Sequence, residues 1–276
     1  MEGMRIAVAQ IVSGVDPAPN LDLVRTFAAR AKDAGADLVV FPEATMASFA
    51  TRSADAAEPL DGPWASAVAA IAREAGITIV AGMFTPARSR GERARARNTL
   101  IVADASGVVA HYDKMHLFDA WGFEESRHIE AGDRPVTFET GGITVGFAVC
   151  YEVRFPELFK YLAHAGAQVV IVAASWMRGD GKAGQWRALN RARALDTTCY
   201  IVAAGQGDPA TVGLLSKPDA PTGVGHSVVV SPLGEILAEA GDAPELLVVD
   251  IDPDAVADAR RRLPVLATSR FAITAP

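Results

Sequence analysis

The stretch Gly142-Ile-Thr-Val-Gly-Phe-Ala-Val-Cys150-Tyr-Glu-Val-Arg-Phe-Pro-Glu157 decides how this chain is read. Ile143, Val145, Phe147 and Val149 fall on one face at period two. Thr144, Gly146, Ala148 and Cys150 fall on the other, and that face is small throughout. Such alternation is the signature of a strand. Pro156 suits the first position of a helix. The apolar residues Leu158, Phe159 and Leu162 carry that helix to Gly166, a residue type that ends helices. Cys150 is therefore expected where a buried strand turns sharply towards a helix, facing space left by small neighbours. A nucleophile needs both a fixed position and access. Taken alone, the strand favours the other reading, in which an unpaired cysteine is a small core hydrophobe.

Working outward, the spacing predicts short apolar strands at Met4–Gln10, Asp37–Pro42 and Ile77–Phe84. Asn20 is expected to cap a helix with Leu21, Val24, Ala28 and Ala31 on one face. Pro63–Ala75 is a second helix, closed by Gly76. Asn98–Ala103 and Val108–Tyr112 read as a hairpin around Asp104-Ala105-Ser106-Gly107. Trp121–Arg134 shows no periodicity and reads as a loop. Beyond the cysteine segment come a strand at Gln168–Ala174, a helix at Trp186–Thr197 and a strand at Cys199–Ala204. A hairpin, Ser227–Val230 with Ile236–Glu239, follows, then a strand at Leu246–Ile251 and a basic helix at Asp254–Leu263. Helices between strands predict a layered α/β domain. Ten or more strands exceed a comfortable single sheet, so two packed sheets are expected.

The chain has 276 residues, half of them hydrophobic, and a net charge of −7. It reads as one domain over 1–276, because no Pro/Ser/Gly-rich linker divides it. The negative balance argues against nucleic-acid and anionic-membrane partners. The run 88–97 holds five arginines but no aromatic residue to stack on a base, and is expected to be a solvated loop. Two cysteines without a CxxC pattern argue against a disulfide framework and for a reducing compartment. Without a signal-type or membrane-length apolar run, a cytoplasmic protein is expected. No P-loop and no dinucleotide fingerprint is present. His111 and His116 lack ligand spacing for zinc. No cofactor and no metal is expected.

Three titratable residues each follow an apolar strand: Glu43 after Leu-Val-Val-Phe-Pro, Lys114 after Val-Val-Ala-His-Tyr-Asp, and Cys150 after Val-Gly-Phe-Ala-Val. Strand ends of layered α/β domains are where reactive groups gather. A thiolate attacks an electrophilic carbon, a carboxylate takes the proton, and an ammonium stabilises an oxyanion. Separately, Glu43 reads as a surface or ion-paired carboxylate and Lys114 as a solvated cation.

Phe41-Pro42-Glu43-Ala44, Tyr112-Asp-Lys114-Met-His-Leu-Phe-Asp119 and Cys150-Tyr-Glu-Val-Arg-Phe-Pro-Glu157 resemble, in order and spacing, the three signature segments of the nitrilase superfamily, the carbon–nitrogen hydrolases. The resemblance implies Glu43 as general base, Lys114 as oxyanion lysine and Cys150 as nucleophile. It implies a four-layer αββα sandwich that pairs into a homodimer or higher homo-oligomer, with helix 254–263 and the tail after it reaching a partner subunit. Glu125 matches a second glutamate found in many members. Proline often precedes the following Gly-Asp in that family, whereas this chain has Ala131. The implied reaction is attack of Cys150 on an amide carbonyl. Lys114 and the Tyr151 backbone N–H would hold the oxyanion, and water would then hydrolyse the thioester.

Cys-Tyr-Glu followed by Arg154 resembles the Nit-like amidases rather than the nitrilases with Cys-Trp-Glu. In relatives acting on carboxylate-bearing substrates, an arginine at this position holds the carboxylate, and a guanidinium fork does so bidentately. The competing reading is an ion pair with Glu152 or Glu157. Phe118, Trp121, Trp176 and Met177 are candidate pocket residues, and read equally as ordinary core. The implied activity is release of ammonia from a small carboxylate-bearing ω-amide of the 2-oxoglutaramate or deaminated-glutathione type. The alternatives are an N-carbamoyl amino acid amidohydrolase, a general aliphatic amidase or nitrilase, and a catalytically silent binding module.

Overall fold

The computed structural model describes residues 3–89, 94–214 and 221–274. The strands are β1 (Met4–Gln10), β2 (Leu38–Val40), β3 (Thr78–Pro86), β4 (Ala96–Asp104), β5 (Gly107–Asp113), β6 (Asp119–Ala120), β7 (Phe123–Glu124), β8 (Thr137–Thr140), β9 (Ile143–Val149), β10 (Val169–Ala174), β11 (Tyr200–Gly205), β12 (Val228–Val230), β13 (Ile236–Glu239) and β14 (Glu245–Ile251). The helices are α1 (Pro17–Asp33), α2 (Ser53–Ala56), α3 (Pro63–Ala75), α4 (Pro156–His164), α5 (Lys182–Thr197) and α6 (Pro253–Arg262).

Two six-stranded sheets form, ordered β14-β1-β2-β3-β4-β5 and β13-β12-β11-β10-β9-β8. Each has three parallel central strands, β1-β2-β3 in one and β9-β10-β11 in the other. Each is flanked by one antiparallel strand on one side and two on the other. The two halves thus share a topology that no sequence repeat announces.

Alternation along β1 shows how the layers arise. Ile6 and Val8 join a core with Val145, Phe147 and Ile171 of the opposite sheet. Ala7 and Ala9 join a second core with Val24 and Phe27 of α1 and Val68 and Ile71 of α3. On the far side, Leu158, Phe159 and Leu162 of α4 and Trp186 of α5 cover the second sheet. The result is a four-layer αββα sandwich. Tyr112 stacks on Phe147 across the sheet seam, with ring centroids 6.5 Å apart. Full burial of a Phe side chain contributes about 1.5–3 kcal/mol.

Several sequence expectations are revised. Helix α1 starts at Pro17, capped by Asp16, whose carboxylate accepts from Ala18 N–H at 3.0 Å. Asn20 is instead a buried tie between loops: its side chain donates to the carbonyls of Gly14 and Met46. The segment 121–134 contains β7 and a 3-10 turn at Glu125–Arg127. β8 and α2 had no periodic signal of their own, being four residues each. Helix α5 begins four residues earlier than expected, at Lys182.

The small face of β9 is not open space. A Cβ on Gly146 would come within 3.0 Å of Leu162, so α4 packs directly on that face. The arginine run is a solvated loop only in part: Arg88 is exposed and outside any element, whereas Arg95 and Arg97 are tied into the fold. β3 and β4 pair as far as Pro86 and Ala96, and Arg97 lies within β4. Arg95 and Arg97 both pair with Glu130, at 2.9 and 2.8 Å. Residues 90–93 of the run lie outside the described residues. Among the described residues, no helix is long and apolar enough to cross a membrane.

Candidate active site

Glu43, Lys114, Glu125 and Cys150 line one cavity. They arrive there from both sheets and from the connections after β2, β5, β7 and β9.

Glu43 lies just past β2. Here the chain presses onto β3: a Cβ on Gly82 would meet Ala44 N at 2.7 Å and Glu43 Cα at 2.9 Å, so only glycine fits. Ala44 then turns with a φ of 57°. The Glu43 carboxylate is buried. Its Oε1 accepts from Asn98 Nδ2 at 2.7 Å and Lys114 Nζ at 3.1 Å; its Oε2 accepts from Ser175 N–H at 2.7 Å. Gln206 Nε2 donates to the Glu43 carbonyl.

Lys114 follows β5. Its backbone N–H donates to Asn98, and its carbonyl accepts from Gly132. A Cβ on Gly132 would collide with the Asp113 carbonyl, so the glycine after Ala131 is what lets this loop close, with no need of a preceding proline. Lys114 Nζ lies 2.9 Å from Glu125 Oε2. Burial works against the ammonium, but Glu125 and Glu43 outweigh it and hold the group charged well above the ordinary lysine range.

Glu125 opens the 3-10 turn after β7 and is buried. Its Oε1 accepts from Asn98 Nδ2 at 3.2 Å and its Oε2 from Phe118 N–H at 2.7 Å. Asn98 therefore braces both carboxylates at once.

Cys150 follows β9 with a φ of 51°, in the left-handed region that a residue with a Cβ adopts rarely. This conformation breaks the strand alternation and turns the thiol into the cavity. Its Sγ donates to the Ser175 carbonyl at 3.8 Å. Burial, followed by the Glu43 charge, pushes the thiol well above its usual range, while Lys114 pulls the other way. The resting group is a thiol, and its proton needs an acceptor before sulfur can attack. The second cysteine, Cys199, is buried away from the cavity and contacts the Ala167 carbonyl.

Glu152 fixes the turn. Fully buried, it accepts from Tyr112 OH at 2.8 Å, from the N–H groups of Met115 at 2.9 Å and His116 at 3.1 Å, and from Val149 N–H at 2.7 Å. His116 Nδ1 lies 3.2 Å from it. It thus clamps the Lys114 loop to the Cys150 turn and is not a partner of Arg154. Arg154 donates to Gln185 Oε1 at 2.9 Å and stacks on Trp176, its guanidinium 5.1 Å from the ring centroid. No ion pair joins it to Glu152 or Glu157 among the described residues.

Phe118, Tyr151, Arg154, Trp176 and Met177, all singled out in the sequence, line the same cavity, whereas Trp121, singled out with them, is exposed and does not line it. Phe49, Phe123, Ser175, Lys182 and Pro221 also line it and went unnoticed. Asn98 and Glu152 had a faint signal, as polar residues inside apolar or motif segments. Lys182 and Phe49 had none.

A model of the family described as carbon–nitrogen hydrolase matches residues 5–261. A Mycobacterium tuberculosis protein named as a hydrolase is 54% identical over 268 residues, which cover 95% of this chain and 94% of the relative. The deaminated glutathione amidase of Escherichia coli O157:H7 is 34% identical over 257 residues, covering 92% of each. Among solved structures, an amidase mutant from Nesterenkonia sp. AN1 superposes with a TM-score of 0.77. It is 31% identical, over 97% of this chain and 94% of that one, and carries the acetamide moiety of fluoroacetamide covalently at its active-site cysteine.

Proposed function

The chain belongs to the carbon–nitrogen hydrolase family, and from that premise we propose that it is an amidase that hydrolyses a small carboxylate-bearing ω-amide through a thioester on Cys150. The observation that carries this reading is the joint burial of Glu43, Lys114 and Glu125, with the Lys114 ammonium donating to both carboxylates beside a strained, cavity-facing thiol.

In the proposed sequence, Glu43 takes the Cys150 proton as sulfur bonds to the amide carbon. The Lys114 ammonium and the Tyr151 N–H receive the oxyanion. The Tyr151 amide lies in the first turn after the nucleophile, where backbone donors lack a partner within the turn. Collapse breaks the carbon–nitrogen bond, and the Glu43 proton leaves with the amine. Water then gives a proton to Glu43 and its oxygen to the acyl carbon. The carbon–sulfur bond breaks, and the proton returns to sulfur. Glu125 holds Lys114 in place and helps orient that water.

Arg154 on the cavity wall supports a carboxylate-bearing substrate, as does similarity to a relative named deaminated glutathione amidase. We infer further that the chain works as one cytoplasmic domain and as a homodimer. Phe271, 86% exposed in the tail after α6, supports an apolar contact with a second copy.

A product screen tests the reading. Purified protein is offered 2-oxoglutaramate, deaminated glutathione, N-carbamoyl amino acids, simple aliphatic amides and nitriles. The expected result is the highest kcat/KM on an acid-bearing ω-amide. Carbon dioxide released in step with ammonia would identify a carbamoyl hydrolase instead. No turnover of any substrate would leave the binding-module reading.

A further inference from the structure

Lys182, the first residue of α5, is only 5% exposed, yet its ammonium has no carboxylate and no hydrogen-bond acceptor among the described residues. It sits over the Trp121 ring, 3.3 Å from the centroid, and 6.0 Å from that of Trp176. An aromatic face attracts a cation but offers no acceptor oxygen for its N–H groups. The Arg154 guanidinium lies 5.1 Å from the same Trp176 centroid, and its one polar partner among the described residues is the neutral amide of Gln185. Both cations line the cavity that holds Cys150. The two carboxylates of that cavity, Glu43 and Glu125, are occupied by Lys114.

Two like charges gathered beside Trp176 without an anion repel each other. Burial, followed by Arg154, lowers the pKa of Lys182 accordingly. An arrangement that costs energy in the protein alone is offset when a ligand brings the missing negative charge. Resting on the amidase reading, we propose that Lys182 and Arg154 form one anion subsite beside Trp176, which receives the acid end of the substrate opposite the scissile amide. The fork of Arg154 takes the carboxylate oxygens in its plane. Lys182, a point charge with three donors, takes a remaining lone pair of the carboxylate or a neighbouring 2-oxo oxygen. Trp121 is 69% exposed and sits at the β6–β7 turn with a φ of 58°. Its ring lies directly against the ammonium.

The test pairs a binding measurement with a selectivity measurement. Calorimetric titration of the unmodified enzyme with glutarate, which needs no turnover, is expected to show binding. Lys182→Met weakens it at least about ten-fold, and Lys182→Arg restores most of the loss. In ammonia-release assays, Lys182→Met lowers kcat/KM for 2-oxoglutaramate at least about ten-fold more than for propionamide. Combining it with Arg154→Ala costs less than the product of the two single losses, because both hold one group. Lys182→Gln provides the same comparison if the methionine variant does not fold. Unchanged glutarate affinity, or equal losses on charged and neutral amides, would overturn the subsite. If the unmodified enzyme turned over no amide while glutarate bound through Lys182, the amidase reading would fail and the subsite would stand.

Discussion

The Glu43 carboxylate accepts a hydrogen bond at 2.7 Å from the backbone N–H of Ser175, reaching from the end of β2 in one sheet to the end of β10 in the other. The Ser175 carbonyl in turn receives the Cys150 thiol. Glu43 and Cys150 are thus aligned on the same peptide segment, and the seam between the sheets sets their separation. A base whose position is fixed before substrate arrives needs no reorganisation when the proton moves.

Cys150→Ala should abolish turnover while the fold persists, since it removes one sulfur atom from the edge of a cavity. Its melting temperature should stay within a few degrees of the parent, in line with a loss of about 1 kcal/mol or less. Intact-mass spectrometry of the parent protein with a slow substrate should reveal an acyl adduct that maps to Cys150. An adduct on Cys199, or activity surviving in the variant, would sink the thioester mechanism.

The thiol's titration should move in opposite directions in two variants. Burial and the Glu43 charge raise it, and the Lys114 charge lowers it. Glu43→Gln removes a charge that opposes the thiolate, so the pH midpoint of alkylation by iodoacetamide should fall. Lys114→Met removes a charge that favours the thiolate, so that midpoint should rise. Shifts of the same sign in both variants would contradict the electrostatic account.

Glu152→Gln should weaken the whole site without touching substrate. The carboxylate accepts from three backbone N–H groups and from Tyr112. A carboxamide offers one acceptor oxygen and turns an NH2 against donors. The expected cost is roughly 2–4 kcal/mol in urea unfolding, with kcat falling on charged and neutral amides alike. A selective loss on acid-bearing amides would instead place Glu152 in substrate recognition.

Arg154→Ala should lower kcat/KM for acid-bearing amides about ten- to hundred-fold more than for neutral ones. Lysine should rescue it only partly, for want of a planar fork. Gln185→Ala, which frees the guanidinium from its hydrogen bond, should give a smaller loss of the same kind, expressed mainly in KM. Equal losses on every substrate, with a lower melting temperature, would make Arg154 a structural residue.

By itself the sequence determined the strand–turn–helix at 142–164, the placement of Glu43, Lys114 and Cys150 at strand ends, and the family. Each rests on local periodicity or on contiguous motifs, and those survive as text. The tertiary structure decided which groups meet. Asn98 bridging Glu43 and Glu125, Ser175 donating to Glu43 while accepting from the Cys150 thiol, and Arg154 and Lys182 both coming near Trp176 bring together residues distant in the chain. Alternation along β9 likewise marked a small-residue face but not its partner, which is Leu162 of α4 and not a substrate. The physical reason is common to all of these. Hydrophobic spacing reports which side of an element leaves water, whereas the pairing of buried polar groups depends on how the two sheets and their connecting loops close on one another.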